Sequence, residues 1–207
     1  AVGNYTLNVT TIPDKNHIAV VANAKITVNK AYSTVSLTDI VFDYGAAGNS
    51  SVTFTGATGV TARVIDHDEI IVSVEGNVIA VSGLDAGEYT LAVVTIPDAG
   101  YEAAEATANI TVNKINSTIS VEDIVIDYGA AAVIPVRADG ITSINASITE
   151  YPDAVIDYSD DYTIIVSGLN GGSYTLNVVG VPDKNHYASQ DSATITVNKV
   201  NSTSFFE

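Results

Sequence analysis

The pentapeptide ITVNK stands at residues 26–30, 110–114 and 195–199, so its copies start 84 and then 85 residues apart. Other words keep the same step. GNYTL (3–7), GEYTL (87–91) and GSYTL (172–176) precede TIPD (11–14), TIPD (95–98) and GVPD (180–183). DYGAA recurs at 43–47 and 127–131, and PDKNH at 13–17 and 182–186. Self-similarity at a fixed period limits the possible folds more than any local propensity does, and this period exceeds that of solenoid repeats. Each unit is the size of a small domain. The expected organisation is one repeat at 31–114 and a second at 115–199, the second needing one inserted residue near Tyr151. Residues 1–30 match only the last two strands of a repeat. Within 200–207, NSTSFFE (201–207) matches NSTISVE (116–122), the first strand of a following repeat or a tail. On this reading the chain is a window on a longer array.

The patterning inside one repeat sets the fold class. Residues 31–114 contain TVSLTDIVF, SVTFT, GVTARVI, IIVSV, NVIAVS, EYTLAVVTI and ATANITV, runs rich in Val, Ile and Thr that largely alternate apolar with polar. Gly, Asn and Asp clusters such as DYGAAGN, TGATG, EGN and GLDAGE separate them. AEATAN has a helix-friendly composition, but its flanks favour a strand. Seven short strands with a turn signal about every dozen residues predict an all-β antiparallel sandwich in each repeat.

Charge and composition then exclude several functions. The net charge of -16 comes from 24 acidic against 8 basic side chains, the wrong sign for a phosphate backbone, so no nucleic acid partner is expected. Without any Cys, disulfides, thiol catalysis and thiolate metal sites are ruled out. No apolar run approaches the roughly 20 residues a membrane helix needs. His17, His67 and His186 lie far apart, and no GxSxG elbow or Ser-His-Asp spacing appears. No enzyme is expected.

In SGLDAGEYTL and SGLNGGSYTL a Tyr follows a Gly-bearing turn at the start of the penultimate strand. That is where a tyrosine corner sits in Greek-key sandwiches, its hydroxyl bonded to upstream backbone. Tyr89 and Tyr174 take this role, and Tyr5 the same place in the first remnant. With these words in order (GxYTL, the IPD turn, a Tyr or His four residues after the Pro, then ATITVNK and a fresh NST strand), the chain resembles the tandem bacterial immunoglobulin-like repeats of cell-surface adhesin-like proteins. The resemblance is closest to those of methanogenic archaea. It implies seven-stranded immunoglobulin-like sandwiches, extracellular display at the cell surface and a structural or adhesive role in a stalk or filament, with no catalytic residues. The partners it implies are neighbouring repeats, other copies of the chain, or a glycan or protein on a host or partner cell.

Four kinds of site remain open. Asp66, Asp68 and Glu69 crowd one loop, and Asp153, Asp157, Asp160 and Asp161 crowd its counterpart. Hard oxygen donors of this kind suit Ca²⁺, which is the one cofactor expected if there is any; a solvated acidic loop is the plainer reading. Tyr151, Tyr158 and Tyr162 offer an aromatic platform for carbohydrate in the second repeat alone, the first having no aromatic at those places; drift on a solvated surface would leave the same pattern. N-x-S/T sequons stand at Asn4, Asn8, Asn49, Asn109, Asn116, Asn145 and Asn201 and would be glycosylation acceptors in an exported chain. Lys30, Lys114 and Lys199 follow the last strand of each copy, too far from a core for an internal isopeptide bond. With NK running straight into NST, there is no Gly/Ser linker, and adjacent repeats are expected in a fixed, extended line.

Overall fold

In a computed structural model the chain is described over residues 1–159 and 162–202. Among these residues every regular element is a strand, and no helix is long and apolar enough to cross a membrane. Two compact units emerge, Ala1–Leu84 with Glu88–Thr111, and Asp85–Gly87 with the chain from Val112 onward.

In the first unit, β1 (Gly3–Thr10) and β2 (Val21–Val28) form an antiparallel hairpin in unbroken register from Gly3↔Val28 to Thr10↔Val21. The strands that follow are β3 (Ala31–Tyr32), β4 (Thr34–Leu37), β5 (Ile40–Asp43), β6 (Ala47–Thr55), β7 (Ala57–Val64), β8 (Val72–Glu75) and β9 (Val78–Ser82). Then come β10 (Gly87–Pro97), β11 (Tyr101–Glu102) and β12 (Glu105–Asn113). One sheet has the order β4-β6-β9-β8 and the other β5-β12-β10-β7. Between them lie Ile40, Val52, Val64, Ile79, Leu91, Val93 and Ile110, all essentially inaccessible. Alternation along each strand puts these residues on one face, and burying a side chain of this size contributes roughly 1.5–3 kcal/mol. AEATAN, apart from its first residue Ala104, is strand within β12.

The second unit repeats the plan. Its strands are β13 (Ile115–Asn116), β14 (Thr118–Ser120), β15 (Ile124–Asp127), β16 (Ala132–Pro135), β17 (Arg137–Asp139), β18 (Ile141–Ile148), β19 (Val155–Ser159), β20 (Thr163–Ser167), β21 (Gly172–Pro182), β22 (His186–Tyr187) and β23 (Gln190–Asn198). One sheet runs β15-β23-β21-β18, the other β16-β20-β19, and β14 pairs with β17. Ile134, Ile148, Ile164, Val166, Leu176, Val178 and Ile195 fill the core.

Two features depart from seven simple antiparallel strands. The run TVSLTDIVF is one strand by its pattern, yet β4 pairs with β6 in one sheet while β5 belongs to the other. The chain crosses between sheets at Thr38 and Asp39, held by Ser50, whose hydroxyl donates to the Thr38 carbonyl at 2.7 Å, and by Asp39, whose carboxylate accepts from the Asn109 amide at 2.8 Å. Asp123 does the same for Thr194 at 2.6 Å. Second, the crossing makes β15 lie parallel to β23, from Ile124↔Ile195 to Asp127↔Asn198. Short parallel pairs also join β3 to β11 and β13 to β22.

Candidate functional site

The second unit contains a groove of about 380 Å³ lined by Thr142, Ser143, Ile144, Tyr158, Ser159 and Tyr162. Its walls are β18 and β19, the outermost strands of the two sheets. Strand β18 carries a bulge, because its pairing with β21 jumps from Ile141↔Pro182 to Ser143↔Val181 and leaves Thr142 as the extra residue. Two tyrosines bridge the walls. The Tyr158 hydroxyl accepts the Ala146 amide at 2.9 Å, and the Tyr162 hydroxyl donates to the Ile141 carbonyl at 3.1 Å. Pro182, opposite Ile141, has no N–H to offer that strand.

Tyr162 also adopts a left-handed backbone, φ 58°. This conformation costs a residue with a Cβ roughly 1–2 kcal/mol. In the first unit the left-handed residue of the corresponding turn is Gly76, φ 59°, which meets no such penalty. The last residue before the next strand offers its carbonyl in both, since Asn77 O accepts from Val52 N and Tyr162 O from Val136 N, each at 2.9 Å. The strained tyrosine is thus peculiar to the second unit, whose groove it lines.

Tyr151 is 37% exposed and does not line the groove, so the three tyrosines expected to form one platform divide into a pair and an outlier. The register explains this, since Tyr151 precedes β19 in a turn closed by Ala154 N donating to Tyr151 O at 3.1 Å, while Tyr158 lies within the strand.

The acidic residues do not converge. Asp66 takes a left-handed turn position, φ 61°, and Glu69 accepts from His67 at 3.1 Å. The backbone N–H of Glu69 and then His67 hold that carboxyl below its ordinary 4.5. Asp157 falls inside β19 and Asp153 in the turn before it. Among the described residues no three His, Asp or Glu side chains are grouped to hold a metal; Asp160 and Asp161 lie outside those residues.

Two of the GxYTL tyrosines, Tyr5 and Tyr174, make the upstream backbone bond of a corner. The Tyr5 hydroxyl donates to the Ala1 carbonyl at 2.7 Å and the Tyr174 hydroxyl to the Asn170 carbonyl at 3.0 Å, each four residues upstream. Tyr89 meets His67 edge to face, ring centroids 5.0 Å apart. All seven sequon asparagines, Asn4, Asn8, Asn49, Asn109, Asn116, Asn145 and Asn201, are exposed. Lys30, Lys114 and Lys199 are exposed as well, Lys30 standing 3.6 Å from Glu102.

Several residues escaped the sequence reading. Asp39 and Asp123 were visible as the repeated DI word in TDIVFDYG and EDIVIDYG, but their carboxylates have meaning only once the strand changes sheets. Glu150 accepts both the amide and the hydroxyl of Thr175, at 2.7 and 2.8 Å, and the Thr175 amide is the main reason its carboxyl titrates below 4.5. In the PDKNH turn His186 is hydrogen-bonded to Asp183 at 2.6 Å. That bond, with the Asn185 amide, lowers Asp183 below 3.8 against the opposing effect of burial.

No protein-family model matches the chain, and no curated protein matches it. Among solved structures, the titin domains Z1Z2 in complex with telethonin are 14% identical, with a TM-score of 0.45 over 84% of this chain and 100% of that one. Fibronectin(III)-like modules of Clostridium thermocellum CbhA are 18% identical, TM-score 0.35, again over 84% and 100%. The N-terminal Ig1-2 module of a Drosophila receptor protein tyrosine phosphatase is 11% identical, TM-score 0.32, over 81% and 99%. The chain has an all-β sandwich fold. With every one of these TM-scores below 0.5, that assignment stands on the strand order and the two-sheet cores.

Proposed function

We propose that the chain is a non-enzymatic, load-bearing segment of an extracellular cell-surface protein of the adhesin-like kind, built from immunoglobulin-like repeats. The observation that carries this reading is the parallel pairing of β15 with β23. In the second unit the chain, after the short β13 and β14, enters this ladder at the start of β15 and leaves it at the end of β23, at opposite ends of the parallel pair. Tension along the chain therefore shears that ladder and loads its hydrogen bonds together, whereas an antiparallel terminal pair would unzip one bond at a time. Lys114 alone separates β12 from β13, so little slack lies between the last strand of one repeat and the first of the next. Exposed sequons and a net charge of -16 suit display in water, where like charge keeps neighbours apart. The repeat family this reading favours is the bacterial and archaeal immunoglobulin-like one, and the partners are further repeats, other copies, or the surface of another cell.

Single-molecule stretching of the whole chain tests it. The expected trace shows two discrete unfolding events, each releasing about 30 nm less the folded length, as about 85 residues at roughly 3.6 Å give. Smooth extension without force peaks would overturn the load-bearing reading.

A further inference from the structure

We propose that the groove between β18 and β19 of the second unit binds a neutral saccharide, one sugar ring lying against Tyr158 with the hydroxyls of Thr142, Ser143 and Ser159 around it. This goes beyond the load-bearing role, which needs no ligand. The volume, about 380 Å³, lies within the usual range of small-molecule sites. Among the described residues the lining is aromatic, hydroxylic and, at Ile144, aliphatic, with no charged side chain. Such a surface offers stacking faces and hydrogen bonds that both donate and accept, which suits a polyhydroxylated ring.

Both rings are fixed before any ligand arrives. Tyr158 is 50% exposed and tethered by its hydroxyl to the Ala146 amide; Tyr162 is tethered to the Ile141 carbonyl. Fixing the rings in advance lowers the ordering cost of binding. The strained φ of Tyr162 adds an independent pointer, because backbone strain of this kind concentrates at ligand sites. The first unit has the same bulge, where the Thr58 hydroxyl donates to Ile96 O at 3.3 Å as Thr142 donates to Val181 O at 3.2 Å. By strand register it has Val74, opposite Ile79, where the second has Tyr158, opposite Ile164, and Asn77 where the second has Tyr162. A shared scaffold with aromatics added in one copy is the pattern of a site grafted on a fold.

An extended peptide is the competing occupant, since the outer edge of β18 could in principle take a further strand. The same two hydroxyls argue against it. They occupy the Ala146 amide and the Ile141 carbonyl, groups a docking strand would need, and so blunt the edge.

The test is a screen of the full chain against immobilised neutral and anionic glycans, followed by titration of the best neutral oligosaccharide with wild type, Tyr158→Ala and Tyr158→Phe. Binding of a neutral glycan is expected, falling about tenfold in Tyr158→Ala. Tyr158→Phe, which keeps the stacking face but not the tether, should retain most of the affinity. Thermal melts identify any variant that fails to fold. The proposal is overturned if no neutral glycan is retained, if only anionic glycans or extended peptides are retained, or if folded Tyr158→Ala binds as wild type does.

Discussion

At the scale of single residues, chemistry in this chain goes mostly into satisfying backbone where the sandwich is irregular. Tyr174 sends its hydroxyl to the Asn170 carbonyl, Asp39 and Asp123 take amides beside the sheet crossing, and Glu150 takes the Thr175 amide. Each bond closes a polar group that no ladder partner reaches. Tyr174→Phe keeps the ring and removes only the hydroxyl, so its expected cost is about 1 kcal/mol. Urea titration of the two proteins measures that difference, and coincident midpoints would remove the corner bond from the stability of the fold. The words GxYTL and DYGAA were legible as repeats. That Asp123 reaches Thr194, 71 residues on, was not, because such a bond depends on which sheet each half-strand joins.

At the scale of elements, the two repeats solve one packing problem with different side chains. Gly48 of β6 faces Ile40 and Phe42 of β5, and a Cβ built on it would collide with both. In the second unit the corresponding residues are Ala132 of β16 and Ile124 and Ile126 of β15, so a smaller neighbour accompanies the added methyl. Gly48→Ala alone should overpack the first unit and cost about 1–3 kcal/mol. Adding Phe42→Ile should recover most of that loss. A double-mutant cycle by thermal unfolding checks it, and strictly additive effects would show that the two positions are not coupled. The turn after IPD shows a second such solution. Gly56, φ 69°, lies under the Tyr101 ring, and Gly140, φ 71°, under the His186 ring. Sequence alignment paired Tyr with His there; only the contact shows that both need a bare left-handed glycine beneath them.

At the scale of the whole molecule, one set of residues is buried in two places and exposed in a third. Leu91, Val93 and Ile110 are inaccessible in the first sandwich, as are Leu176, Val178 and Ile195 in the second. Their counterparts in the hairpin β1–β2, Leu7, Val9 and Ile26, are 48%, 54% and 44% exposed. The hairpin has the same pattern and register without an opposing sheet, and a lone two-stranded hairpin is marginal in water. Its amides are expected to exchange with solvent orders of magnitude faster than those of β10 and β21. Hydrogen exchange followed by mass spectrometry of the whole chain reads this directly, and equal protection of the hairpin and the two cores would contradict it.

The sequence by itself determined the period, the all-strand character, the places of the repeats and the GxYTL tyrosines, because alternation and turn residues are local signals repeated in register. It also singled out Tyr151, Tyr158 and Tyr162, as aromatics that one repeat has and the other lacks. Tertiary structure decided the rest. Strand TVSLTDIVF divides between two sheets because a twisted sandwich offers its two halves different partners, and no periodicity encodes that choice. Tyr151 falls outside the groove because it stands in the turn before β19, while Tyr158 lies within that strand. Whether neighbours in sequence become neighbours in space is set by pairing between distant strands, a property of the fold and not of any one segment.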